Sequence, residues 1–378
     1  MSELTQDKQN LCIDILVNGH VQAYVDFFYL THRPESVHAA DEPSTAQLGI
    51  PPAKLPFVKV QLAEAETARR RGDTGAVFTA YEQLAAFFTD LSDQRTAIYF
   101  WEKCLEISQL TSDVAGETKT TLALGVAHER SGDTVAAVRH YEKLLRLAQS
   151  SGDQSGEQHA NERLVLAFQA IATEKEEAKE SALALSYREK CLEASRACGD
   201  VAKESKAQFE LGQAHEQLGD VDHLKKAVYH YEQHLALAET AGDTEAQGAA
   251  CFALAHVHQR LQNGEASLQN LQKFSQLAQS SGKVSAQAEA CCSLGVLYNQ
   301  QGDYVSAVQY LERFFELARS VGDRSMLDKA RTYLGIARGN SVLPSYTQVV
   351  TSDLDALLKW KNRRVPFTDA LRPANNGT

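Results

Sequence analysis

Residues 124–153 read LGVAHERSGDTVAAVRHYEKLLRLAQSSGD. Leu124-Gly125 sits in an apolar pattern of helical spacing that stops at Ser131-Gly132-Asp133. Glycine lets the chain turn left-handed, and aspartate caps the helix that follows. Ala137, Tyr141, Leu144, Leu145 and Ala148 then recur at helical spacing, and this second pattern stops at Gly152-Asp153. The stretch predicts two helices joined by a tight turn.

The same scheme recurs on both sides. A small residue followed by a polar one closes a helical pattern at Gly72-Asp73, Ser112-Asp113, Gly152-Asp153, Gly199-Asp200, Gly242-Asp243, Gly282-Lys283 and Gly322-Asp323. Successive spacings are 40, 40, 47, 43, 40 and 40. A leucine marker at 84, 124, 164, 211, 254, 294 and 334 repeats those intervals, including both longer ones. Two markers in one register define a repeat, with six full units between Gly72 and Gly322. Seven extra residues near Ala170–Ser181 and three near Val221–Leu224 fall at turns, where they leave the register intact.

Columns inside the unit have packing reasons. The residue after the marker is small in most copies (Ala85, Gly125, Gly212, Ala255, Gly295, Gly335), so two helices can approach closely; Val165 breaks the rule. A second small column is Ala97, Ala137, Ala227, Ser267 and Ala307. A ring column lies four residues after the marker: Phe88, His128, Phe168, His215, His258 and Tyr298. Another holds Trp101, Tyr141 and Tyr231, with Leu271 and Leu311 in later copies.

Over roughly residues 55–340 this set of columns resembles the tetratricopeptide repeat, a helix-turn-helix family with Leu-Gly, ring and Ala columns. A steady unit of 40 is similar to the long-helix subclass seen in LGN and rapsyn; the family's usual terminal proline is missing here. The resemblance implies an all-α, right-handed α-solenoid of tetratricopeptide-like helix hairpins. One hairpin cannot bury its apolar face alone, so neighbours must stack. The expected organisation is amphipathic helices over 1–32, a linker over 33–53, a superhelix over 54–338, and a helix with a basic tail over 339–378. Orphan helices are expected at about 54–71 and 325–338.

The N-terminal stripe Leu11, Ile15, Val21, Tyr24, Val25, Phe28 and Tyr29 predicts one or two helices broken at Asn18-Gly19, either capping the first repeat or docking a partner. Near the other end, Ser352–Lys361 reads as a short helix capped by Ser352, with Trp360, Lys361, Arg363 and Arg364 as candidate anchors. From Arg324 onward 9 basic and 4 acidic residues give +5, against −11 for the whole chain. A basic segment beside an acidic array predicts an electrostatic contact.

Composition narrows the function. An acidic balance of 38 basic and 49 acidic residues argues against nucleic acid as partner. No apolar run approaches a membrane span, and MSELTQDKQN shows no signal pattern, so a cytosolic chain without membrane insertion is expected. Seven cysteines without a C-x-x-C pair read as reduced thiols. There is no phosphate loop. His256 and His258 point different ways on a helix, and His128-Glu129 and His215-Glu216 share one repeat position, which marks packing rather than acid–base chemistry. No enzyme, cofactor or metal is expected.

What remains is surface. The resemblance places the first helix of each hairpin on a concave face. Its inner positions would be Val126, Glu129 and Arg130; Gln213, Glu216 and Gln217; His256, Gln259 and Arg260; Val296, Asn299 and Gln300. This mixed polar groove suits a segment of another protein. The chaperone-type carboxylate grip lacks its Lys and Asn sites, and of an LGN-type asparagine ladder only Asn299 fits. The whole-chain arrangement is similar to a branch of the family found in motile cilia and flagella. It implies a non-enzymatic scaffold of the axoneme, near inner dynein arms, supporting dynein-driven motility and intraflagellar transport. The alternative is an LGN-like cytosolic signalling or polarity adaptor, whose C-terminal G-protein-binding motifs find no room after Arg364. Self-association is left open.

Overall fold

A computed structural model describes residues 3–32 and 50–363. Among these are seventeen α-helices and no strand. The all-α hairpin architecture expected from the sequence is the one observed. The chain forms two compact units, residues 1–200 and 201–378.

In the first unit, α1 (Glu3–Val17) and α2 (Val21–Thr31) precede α3 (Leu55–Arg71). Three hairpins follow: α4 (Thr74–Asp90) with α5 (Gln94–Thr111), α6 (Val114–Arg130) with α7 (Thr134–Ser151), and α8 (Gln154–Glu177) with α9 (Ser181–Ala197). From α3 to α9 each helix packs on the next in sequence. In the second unit the hairpins are α10 (Val201–Leu218) with α11 (Val221–Ala241), α12 (Thr244–Arg260) with α13 (Gly264–Ser280), and α14 (Val284–Gln301) with α15 (Tyr304–Val321). Then come α16 (Arg324–Ser352) and α17 (Leu354–Arg363).

The turns work as the residue types require. Gly132 has φ +84°, and the Asp133 carboxylate accepts from the Ala136 N–H at 2.9 Å. Asp73, Asp93, Asp113, Asp153, Asp220, Asp243, Asp303 and Asp323 cap their helices in the same way. Each such cap is worth about 1 kcal/mol. Ser112 takes the left-handed conformation without being glycine, at φ 56°. Lys283 supplies no side-chain cap.

The two longer repeats lengthen helices rather than loops. Seven extra residues are close to two turns of 3.6, so α8 grows to 24 residues while keeping its buried face. Arg188 of α9 donates to Glu176 in the added part at 3.0 Å. The three-residue insertion extends α11 to 21 residues.

The N-terminal helices join the core of the first unit. Gly19 breaks them apart at φ +79°. Ile15, Ala23 and Phe27 are buried with Leu55, Val58 and Leu62. The buried Glu66 carboxylate accepts from the Ala23 N–H at 2.9 Å and pairs with Arg70. The apolar stripe differs from the expected one, since Val21, Phe28 and Tyr29 face out. α2 packs on α3 through the Ala23–Phe27 row.

At the other end the helix expected to stop near Arg338 runs on to Ser352. Ser341-Val342-Leu343 stand where Ser131-Gly132-Asp133 stand in the earlier copy, so neither a left-handed glycine nor an aspartate cap ends it. Ser352 does not cap α17. Its hydroxyl donates back to the Gln348 carbonyl at 2.6 Å, and α17 starts after Asp353.

Candidate protein-binding face

Packing between paired helices places the polar residues. A Cβ on Gly125 would run into the Tyr141 ring, and one on Gly212 would stand 2.7 Å from Tyr231. The absent side chain therefore seats the ring of the second helix. Each buried tyrosine then reaches past the glycine to a carboxylate one turn on. The Tyr141 hydroxyl donates to Glu129 at 2.7 Å and that of Tyr231 to Glu216 at 2.8 Å. Burial first, and then the neighbouring carboxylate, raises both phenol pKa values, so the hydroxyls stay protonated donors.

Where leucine replaces tyrosine, the equivalent position changes with it. Gln259 and Asn299 take the place of glutamate above Leu271 and Leu311, and they pair with the next repeat instead. Gln259 donates to Gln300 at 2.7 Å, and Asn340 donates to Asn299 at 3.1 Å. Glu216 makes the corresponding step: Arg260 donates to its backbone carbonyl at 2.8 Å, and His256 stands 3.7 Å from its carboxylate. In the second unit a row of polar bridges thus links α10 to α12, α12 to α14 and α14 to α16.

The ten groove residues expected from the sequence divide between the units. Glu129 and Arg130 belong to the first, where Glu129 lies 3.9 Å from Arg163 of α8 and Arg130 is exposed. The other eight belong to the second. Six of these, Glu216, His256, Gln259, Arg260, Asn299 and Gln300, form the bridges. Gln213 and Gln217 are exposed beside them.

A cavity of about 220 Å³ opens beside this row. It is lined by Phe252, Ala255, His256 and Gln259 of α12, Ser267 and Leu271 of α13, Cys292, Ser293 and Val296 of α14, and Tyr333 of α16. Two columns differ here. Ala255 stands where Gly125 and Gly212 stand, and Leu271 replaces the tyrosine that fills the α6–α7 and α10–α11 hairpins. Sequence reading missed Asn340 and the cavity. The signal was present: in the second unit the fifth residue after one leucine marker pairs with the sixth after the next, and Leu271 stands where earlier copies carry tyrosine.

The anchor residues are only partly described. Trp360 packs edge-on against Tyr346, with centroids 6.2 Å apart, and Lys361 is exposed. The Arg363 side chain and Arg364 lie outside the described residues.

Among the described residues no group of three or more His, Cys, Asp or Glu is placed to hold a metal ion, and no helix is long and apolar enough to cross a membrane. Burial pushes the Cys104 thiol up to about 12 and that of Cys292 to about 11, which keeps both protonated.

Family models described as Tetratricopeptide repeat match residues 120–155 and 288–321. The chain is 25% identical over 370 residues to Tetratricopeptide repeat protein 29 of Trypanosoma brucei brucei, covering 96% of this chain and 76% of that protein. The protein of the same name from Macaca fascicularis is 25% identical over 373 residues, covering 94% and 78%. A solved signal-transduction ATPase with a tetratricopeptide repeat sensor, from Pyrococcus horikoshii, aligns at a TM-score of 0.43 and 16% identity, over 81% of this chain and 46% of that one.

Proposed function

We infer that this chain, which carries tetratricopeptide repeats and is similar to proteins named Tetratricopeptide repeat protein 29 along nearly its whole length, is a protein-binding scaffold of the ciliary or flagellar axoneme. The observation that carries the binding role is the bridged polar face of the second unit with its cavity. Its row of amides, carboxylate and cations offers donors and acceptors at repeat spacing, and the cavity offers one apolar socket. A partner segment laid across α12, α14 and α16 meets both. Several modest contacts on one array add to avidity without a single strong site.

The axonemal setting rests on the whole-chain similarity. In that reading the partners are proteins of the inner dynein arm or its neighbours, the chain works outside membranes, and its contribution to motility and intraflagellar transport is positional. Proximity labelling from the tagged full-length chain in a flagellated cell tests it. Axonemal proteins should dominate the labelled set, and an Ala255→Gly/Leu271→Tyr variant, which fills the cavity, should lose part of it. Labelling confined to the cell body would overturn the axonemal setting. An unchanged set in the variant would remove the cavity from the binding face.

A further inference from the structure

A cavity of about 410 Å³ opens in the first unit between α2, the end of α3, α4 and α5. Pockets that take small ligands and side chains run from about 300 to 1,000 Å³. Val77 and the buried Tyr81 of α4, with Ile107 of α5, give the cavity apolar walls, and Tyr99 and Leu110 of α5 are exposed beside them. It belongs to a different part of the chain from the bridged face of the second unit, so it stands whether or not that face binds.

Charge in the cavity is unevenly satisfied. Arg69 donates to the Tyr81 hydroxyl and lies 6.0 Å from that ring's centroid. Lys103 pairs with Glu106 at 3.0 Å and lies 5.9 Å from the Tyr99 centroid. Both cations of the cavity are therefore engaged. The Asp73 carboxylate accepts from the Ala76 N–H at 3.0 Å and so caps α4. Asp26 differs. Its Oδ1 accepts from Gln22, one turn back, at 3.0 Å; among the described residues Oδ2 has no donor, and no cation pairs with either oxygen. Arg69 and Lys103 attract Asp26 only from beyond ion-pair reach, and burial outweighs them, so its pKa lies above the usual carboxylate value. A half-buried carboxylate lining a cavity without a cation is one half of a pair.

We propose that this cavity receives an arginine side chain from a segment of a partner protein, with the guanidinium on Asp26 and the stem along Tyr99, Ile107 and Leu110. Arginine suits it better than lysine. Its planar fork presents parallel N–H donors to a carboxylate, and its face stacks on an aromatic ring. The carboxylates of Asp26, Asp73 and Glu106 outnumber the cations Arg69 and Lys103, so an incoming cation meets net negative charge. A segment fits better than the free amino acid. Free arginine brings an α-carboxylate, and both cations that could take it are already engaged, whereas Tyr99 and Leu110 offer apolar surface to the residues on either side of a peptide-bonded arginine.

Methyl NMR on the full chain tests this, with N-acetylarginine methylamide as the probe, its citrulline counterpart as the neutral control, and free arginine as a further arm. The arginine probe should shift the Val77, Ile107 and Leu110 methyl signals saturably. Asp26→Asn keeps the bond from Gln22 and should weaken that binding about tenfold. Tyr99→Leu, at an exposed site, should weaken it as well while leaving the melting temperature unchanged. Unchanged affinity in either variant would overturn the proposal, as would the absence of a saturable shift. Equal shifts from the citrulline probe would do the same, since recognition would then not depend on charge. Free arginine binding as tightly as the capped probe would overturn the partner segment as its source.

Discussion

At the residue scale, the ring column four after the marker closes four of the six hairpins by a stacked pair. Phe88 lies on Phe100, His128 on His140, His215 on His230 and Tyr298 on Tyr310, with centroids 5.2–5.8 Å apart. Two of these pairs are imidazoles, and they respond to acid. Burial, then His128, lowers the His140 pKa to about 4; burial, then His230 and His223, lowers that of His215 to about 4. His215 also shares a 2.8 Å Nδ1–Nδ1 hydrogen bond with His223, which needs at least one neutral ring. Between the ordinary histidine value near 6.5 and the folded value near 4, the unfolded chain takes up protons that the folded chain refuses. Stability therefore falls as pH falls through this window. The buried His215 accounts for at most about 1.4 kcal/mol per pH unit. The melting temperature should drop from pH 6.5 to 5, above the range where Glu117, Asp220 and Asp303 begin to titrate. His128→Phe/His140→Phe, which copies Phe88–Phe100, should flatten the drop; an unaltered slope would show that these rings do not carry it. The column was legible as packing in the sequence. That its members stack on one another was not, because the partner ring lies on another helix.

At the element scale, glycine on the first helix and tyrosine on the second behave as one unit. Both members differ beside the cavity, where Ala255 and Leu271 are part of the lining. Ala255→Gly with Leu271→Tyr should rebuild the pair, fill the cavity, and aim a hydroxyl at Gln259 as Tyr141 aims at Glu129. Thermal melting should be preserved or raised while partner capture falls. Leu271→Tyr alone should cost ~1–3 kcal/mol by overpacking against Ala255. If the double variant melts as low as the single one, the pairing rule is wrong. Helix starts were legible because caps are local chemistry, and Asp133 acts as read. Helix ends were less so. The run of α16 past Arg338 turns on a stop signal that is missing at Val342-Leu343, which is harder to notice than one that is present. Ser352, a good cap by type, instead bonds back into α16.

At the scale of the whole molecule, stability is a sum over neighbouring helices within each unit rather than over one shared core. Ala137 is fully buried where α6 and α7 meet. Ala137→Trp should cost several times ~1 kcal/mol and reduce hydrogen-exchange protection in α5–α8, leaving α12–α16 unchanged. Uniform loss along the chain would mean one cooperative block. The sequence by itself determined the all-α class, the repeat length and the register, because helical periodicity, glycine turns and aspartate caps act over a few residues. It also singled out ten candidate groove positions on the first helices. Only the tertiary structure decided how those positions are used: which side chains bridge to the next repeat, and where the cavity opens. These depend on contacts between residues on different helices, from under half a repeat to one repeat apart, where the size of one side chain sets the room left for another.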